Sequence, residues 1–143
     1  MADIRETILV VDDDPLVLKT VVKILEQAKF QVLSAAGGPQ AVMLSEATKQ
    51  KIDMVLSDVD MEVMSGPDLG EVLKKARPNM HVMLMSGGPN GNLLVLNYGW
   101  AYIQKPLVAT KLVQMVTDVL ESKNRSQPGG QEFDSRSDRK KLE

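Results

Sequence analysis

Cysteine is absent from the 143 residues, which removes disulfides, thiolate metal sites and cysteine nucleophiles from consideration. Histidine occurs once, at His81; with no second ligand nearby it reads as a surface residue or the start of a strand rather than part of a metal centre. No run of about 18 apolar residues occurs, so no membrane span is expected. The charged start, residues 1–6, lacks the apolar stretch of a secretory signal, and a cytoplasmic location is the expectation. A basic footprint is also missing. Of the formal net charge of −2, residues 122–143 hold +2 (six Lys/Arg, four Asp/Glu), which leaves −4 on the rest. A mildly acidic body gives no support for nucleic-acid contact.

What remains is ordinary for a folded domain: 43% hydrophobic and 25% charged residues, in a chain long enough for one core without staples. Five short apolar runs, residues 7–11, 31–35, 54–57, 81–85 and 101–104, are rich in Val, Ile, Leu and Met. Near-continuous apolar runs of this length predict strands covered on both faces, as in a parallel sheet. Between them lie segments with helical spacing. Leu16, Val17, Thr20, Val21, Ile24 and Leu25 follow Pro15; Ala41, Val42, Leu44 and Ser45 follow Pro39; Leu69, Val72 and Leu73 follow Pro67. Proline suits the first turn of a helix. Residues 107–120 carry Leu112, Val113, Val116 and Leu120 on one face, whereas residues 92–97 are short and poorly periodic. Strand and helix alternating in five rounds predict an α/β, doubly wound, five-stranded parallel sheet with helices on both faces. The stretch 122–143, rich in Ser, Gln, Gly and mixed charge, predicts a disordered tail or linker after a domain of residues 1–121.

Doubly wound sheets place ligands outside the carboxyl ends of their strands, and the unusual polar residues fall there. The first run ends in Asp12-Asp13-Asp14, the third in Ser57-Asp58 and the fourth in Ser86-Gly87-Gly88, while the fifth leads into Lys105-Pro106. Asp14, just before Pro15, is assigned to capping the first helix. The other carboxylates, brought together, repel and call for a cation. Oxygen-only ligands suit magnesium, which takes one or two carboxylates together with waters and phosphate oxygens. A lysine opposite them suits an arriving phosphoryl group, and an aspartate is itself a competent nucleophile. A magnesium-dependent phosphoryl acceptor follows. A glycine-rich loop is missing after the first strand, and three aspartates there would repel a pyrophosphate, so nucleotide binding is the poorest alternative.

The segments Ile8-Leu9-Val10-Val11-Asp12-Asp13-Asp14-Pro15, Leu56-Ser57-Asp58-Val59-Asp60-Met61 with Gly66, Met85-Ser86-Gly87 and Ile103-Gln104-Lys105-Pro106 resemble, in order, the motifs of the receiver domains of bacterial two-component response regulators. The resemblance covers roughly residues 5–121. It implies a flavodoxin-like strand order 2-1-3-4-5 and phosphorylation of Asp58 by a sensor histidine kinase or phosphotransfer protein. It further implies a Mg2+ site made by Asp12, Asp13, Asp58 and the backbone carbonyl of Asp60. Ser86 and Lys105 would bind phosphate oxygens, and Ser86 with Tyr102 would form the switch that signals to a downstream partner. On this reading the chain is a signalling switch, catalysing only its own phosphorylation and dephosphorylation. Two departures stand out: Glu62 replaces the usual proline, and the segment between Ser86 and Lys105 is a few residues short. Asp58-Val59-Asp60 is also similar to the aspartate pair of haloacid dehalogenase-type phosphatases. There, however, the pair follows the first strand, and Thr or Val, not Glu62, stands four residues after the nucleophile. A phosphorylation-independent interaction module on the same fold is the other alternative, and the presence of the full residue set speaks against it.

Overall fold

Residues 7–11, 54–58 and 81–86 combine apolar character with β-branched side chains, and they form the three central strands. A computed structural model describes residues 5–88 and 98–122. It contains β1 (Thr7–Val11), α1 (Pro15–Gln27), β2 (Gln31–Ala35), α2 (Gly38–Ala47), β3 (Met54–Asp58), α3 (Gly66–Ala76), β4 (His81–Ser86), β5 (Ala101–Gln104) and, as the last helix described, α4 (Ala109–Ser122). All strand pairs are parallel and the order is β2-β1-β3-β4-β5, as the resemblance implied. Every residue of β1 and β3 is buried, and in β4 only His81, its first residue, is half-buried.

Successive strand residues face opposite sides, so a run apolar throughout builds two cores. Ile8, Val10, Leu56, Met83 and Met85 pack with Val21 and Leu25 of α1 and Leu112, Val116 and Leu120 of α4. Leu9, Val11, Val55, Val82 and Leu84 pack on the other side with Ala41 of α2 and Leu69 and Leu73 of α3. Each fully buried leucine among them contributes about 1.5–3 kcal/mol. The nine methionines are in part core filler: Met54, Met83 and Met85 are completely buried, but Met43 is 68% exposed.

Helix starts follow the sequence closely. Asp14 accepts hydrogen bonds from the N–H groups of Leu16 and Val17, and Pro15 occupies the first turn. Ser65 caps α3 by accepting from Asp68 N–H. Helix α2 has Gly37 at its N-cap and so no side-chain cap, and its opposite end is held from a distance. Arg77, after α3, donates to Ser45 Oγ and to the carbonyls of Ser45, Thr48 and Gln50.

Some details depart from expectation. Leu16 is 73% exposed and Thr20 is exposed, so the buried stripe of α1 is narrower than its apolar periodicity. The start of this helix instead lines an open groove with Lys105, Pro106 and Leu107. Val72 is 42% exposed on α3. β3 and β4 each run one residue beyond the apolar segment, to Asp58 and Ser86, and α4 begins at Ala109 rather than at residue 107. The poorly periodic segment 92–97 and residues 123–143 of the expected tail lie outside the described residues.

Candidate functional site

The strand order sets β1, β3, β4 and β5 side by side, and the register aligns their carboxyl ends: Val11 pairs with Ser57, Asp58 with Met85 and Ser86 with Gln104. Asp12 follows β1 directly, Asp58 and Ser86 are the last residues of β3 and β4, and Lys105 follows β5. The Lys105 ammonium lies 2.9 Å from Asp58 Oδ1 and 3.2 Å from Asp12 Oδ2. Asp12 is almost fully buried, and its Oδ1 accepts the N–H of Asp14 at 2.9 Å, which fixes the carboxylate from its other side. Asp13 is exposed, and its Oδ2 accepts the N–H of Glu62 at 3.2 Å. Carboxylate oxygens of Asp12, Asp13 and Asp58 all lie within 4.8 Å of one another. Asp14 stays outside the cluster as the helix cap.

Burial pushes the Asp58 carboxyl above its ordinary range; the Lys105 hydrogen bond and charge pull it down, but the charges of Asp12 and Asp60 add to the rise, and the net shift is upward. For Lys105, burial pulls downward, but the hydrogen bonds and charges of Asp58 and Asp12 outweigh it and its pKa ends above the ordinary lysine value. Asp12 and Asp58 thus share one ammonium, and Asp13 lies close beside these two carboxylates. The donor set is hard oxygen only, carries excess negative charge and has an exposed member, Asp13, that opens to solvent. These are the properties of a site for a small divalent ion such as magnesium.

The surroundings keep this end of the sheet compact. A Cβ on Gly66 would collide with the Asp58 carbonyl oxygen, so only glycine lets the loop after β3 return this closely; Gly66 N–H then donates to the carbonyl of Val59. Ser86 is buried, and its hydroxyl engages the backbone of Gly88, accepting from the N–H at 3.3 Å. A Cβ at Gly87 would make only an ordinary contact with the Lys105 side chain at 3.9 Å, and one at Gly88 would meet nothing within 4 Å, so space is left beside Ser86. The Lys105–Pro106 peptide is cis. Tyr102 of β5 is half-buried against the α2/α3 core. Trp100 stacks on Tyr98 with ring centroids 4.5 Å apart and lies over Gly70 of α3, where a Cβ would come within 2.9 Å of the indole. The Glu62 N–H and the Gly70 platform were not anticipated: the first is a backbone donor that carries no residue-type signal, and the second depends on how Trp100 packs.

The family model described as the response regulator receiver domain matches residues 8–117. The chain belongs to this family. Among solved structures, a response regulator receiver domain protein from Clostridium thermocellum is similar, with a TM-score of 0.75 and 27% identity, covering 85% of this chain and 98% of that one. Among curated proteins, the transcriptional regulatory protein GlrR of Escherichia coli is 28% identical over 80% of this chain, and the sensor kinase CckA of Brucella abortus 29% identical over 82%. The receiver domain spans only 26% of GlrR and 13% of CckA. The family is one of phosphorylation-controlled signalling switches in two-component systems. No helix among the described residues of this receiver is long and apolar enough to cross a membrane.

Proposed function

We propose that this receiver domain, residues 1–121 with 122–143 as a tail or linker, accepts a phosphoryl group on Asp58. The donor would be a phosphohistidine of a sensor histidine kinase or phosphotransfer protein. The observation that carries the reading is Lys105 held 2.9 Å from Asp58 and 3.2 Å from Asp12, with Asp13 close enough to complete a three-carboxylate cluster. Asp12, Asp13, Asp58 and the backbone carbonyl of Asp60 would hold Mg2+, which supplies neutralisation of phosphoryl charge when bound. An Asp58 carboxylate oxygen attacks phosphorus; the P–N bond to the donor imidazole breaks, and the nitrogen keeps the electron pair. Lys105 stays within reach of the new phosphoryl oxygens and offsets part of the roughly −1.5 to −2 charge they bring. Asp12, anchored by Asp14 N–H, keeps the ammonium aligned as Asp58 becomes the acyl phosphate.

The readout follows from Ser86. Its hydroxyl now bonds the Gly88 backbone; turning to a phosphoryl oxygen releases that bond and draws the loop after β4 toward Asp58. Tyr102, on the neighbouring strand, turns inward in response, which biases a two-state element toward a downstream partner or output domain. The domain catalyses only its own phosphorylation and dephosphorylation.

Intact mass after incubation with a small acyl-phosphate donor tests the reading: one base-labile phosphoryl group is expected with magnesium, none after chelation, and none in Asp58→Asn. Undiminished labelling of the Asn variant removes Asp58 as the acceptor. For the switch, beryllofluoride with magnesium is expected to shift Trp100 fluorescence more than magnesium alone, and Ser86→Ala to blunt the shift. An unchanged signal would exclude a route through β5.

A further inference from the structure

The loop between β3 and α3 holds an unusual turn. Met64 N–H donates to the carbonyl of Glu62 at 2.8 Å, across a single residue, and that residue, Val63, has φ of 75°. A hydrogen bond across one residue at positive φ is the rare, strained form of the γ-turn, and a β-branched side chain is especially unfavourable there. The Val63 side chain is 92% exposed, so its own packing does not hold it in this conformation. Both flanks of the turn are pinned instead. Met64 lies so close to Gly38 that a Cβ there would come within 2.7 Å of the methionine. Gly66 N–H is bonded to Val59, and Ser65 caps α3.

What the pinned turn delivers is the Glu62 N–H, 3.2 Å from Asp13 Oδ2. Asp13 is the one exposed member of the carboxylate cluster. Repulsion from Asp12 and Asp58 favours swinging it out to solvent, and this hydrogen bond opposes that motion. We propose that Glu62 is a positioning residue: its backbone N–H, presented by the strained turn at Val63, tethers the Asp13 carboxylate inside the cluster and readies it for the cation. This rests on the magnesium reading above. Proline, the residue that the resemblance places here, has no N–H to give, so the tether belongs to this chain's own sequence.

The substitutions Glu62→Pro and Glu62→Gln separate the donor from the side chain. Calorimetric titration of the full chain with magnesium should give Glu62→Gln an affinity close to wild type. Glu62→Pro should bind about three- to tenfold more weakly, the loss expected when one ordinary, solvent-exposed hydrogen bond is removed. In an Asp13→Ala background the proline should have no further effect, because its target is gone. Glu62→Pro binding as tightly as wild type overturns the proposal; so does equal weakening by Glu62→Gln, or a proline effect that persists without Asp13. Amide NMR keeps the test independent of the proline variant's folding: Asp13→Ala should move the Glu62 amide proton upfield, and an unmoved resonance overturns the tether. A wild-type chain that takes up no magnesium is a separate outcome: it overturns the parent reading, while the amide shift still decides whether the tether exists.

Discussion

The two ends of the sheet both bury polar groups, but they treat them differently. At the amino end, Asp53 Oδ2 accepts Thr7 N–H, and Gln50 donates to Thr7 Oγ1 and Gln31 Oε1. Beside them Arg77 donates four hydrogen bonds to the α2 end and Gln50. These donors and acceptors match one another and tie the loops at this end together. At the carboxyl end, three carboxylates cluster and only two of them pair with an ammonium, an aspartate is pushed above its ordinary pKa, and a valine sits in a strained turn. A matched polar network stabilises a fold, whereas an unmatched one leaves free energy for a ligand to release. On the proposed reading, the difference separates the part of the domain that holds its shape from the part that would respond.

Breaking the matched end should cost the most. Arg77→Ala leaves several carbonyls without their donor and is expected to lower stability by roughly 2–4 kcal/mol, measured by urea unfolding. Magnesium affinity should stay unchanged because the substitution lies at the other end of the sheet. A loss of magnesium binding would show that the two ends are coupled.

The unmatched end should respond with the opposite sign. The folded state holds the Asp58 proton more tightly than the unfolded chain, since its pKa is raised from 3.8. The stability this contributes is complete below the unfolded value and is lost as pH rises through the folded one. Lys105, also raised, contributes stability that is lost only above its folded pKa, well into the alkaline range, so the acid-to-neutral window belongs to Asp58. Asp58→Asn is therefore expected to raise Tm at neutral pH by about 4 °C, the shift that ~1 kcal/mol gives a domain this size. The gain should shrink toward zero as pH falls below about 4 and should also shrink when magnesium is added to the wild type. A variant less stable than wild type at neutral pH would mean that the Lys105 pair outweighs the repulsion.

The smallest contrast lies within one triplet of aspartates. Asp13→Asn should weaken magnesium binding clearly in calorimetry. Asp14→Asn should leave both binding and Tm near wild type, because asparagine caps a helix about as well as aspartate; Asp14→Ala should cost about 1 kcal/mol of stability. If Asp14→Asn harmed metal binding more than Asp13→Asn, the roles within the triplet would be exchanged.

Much of this is legible in the chain itself. Strands buried on both faces must be apolar throughout, so β1, β3 and β4 stand out in the sequence, and a polar residue ending such a run, as Asp58 and Ser86 do, falls at the ligand-binding rim. Asp14 before Pro15 is a local capping signal, and its hydrogen bonds form within three residues. The clustered residues Asp12, Asp13, Asp58 and Lys105 are therefore nameable from sequence alone. Their geometry is not. Lys105 meets Asp12 across 93 residues, Glu62 N–H meets Asp13 across 49, and Arg77 meets Ser45 across 32. Nor does periodicity show that Leu16 and Val72 stay exposed, since apolar spacing marks which face of a helix could be covered but not where its neighbour ends. Hydropathy and capping act over one or two turns of chain, and the sequence determined what depends on them: the elements, their order and the chemical character of each strand end. Distances, matched and unmatched charges and the tether on Asp13 depend on how separate elements pack, and only the tertiary structure decided those.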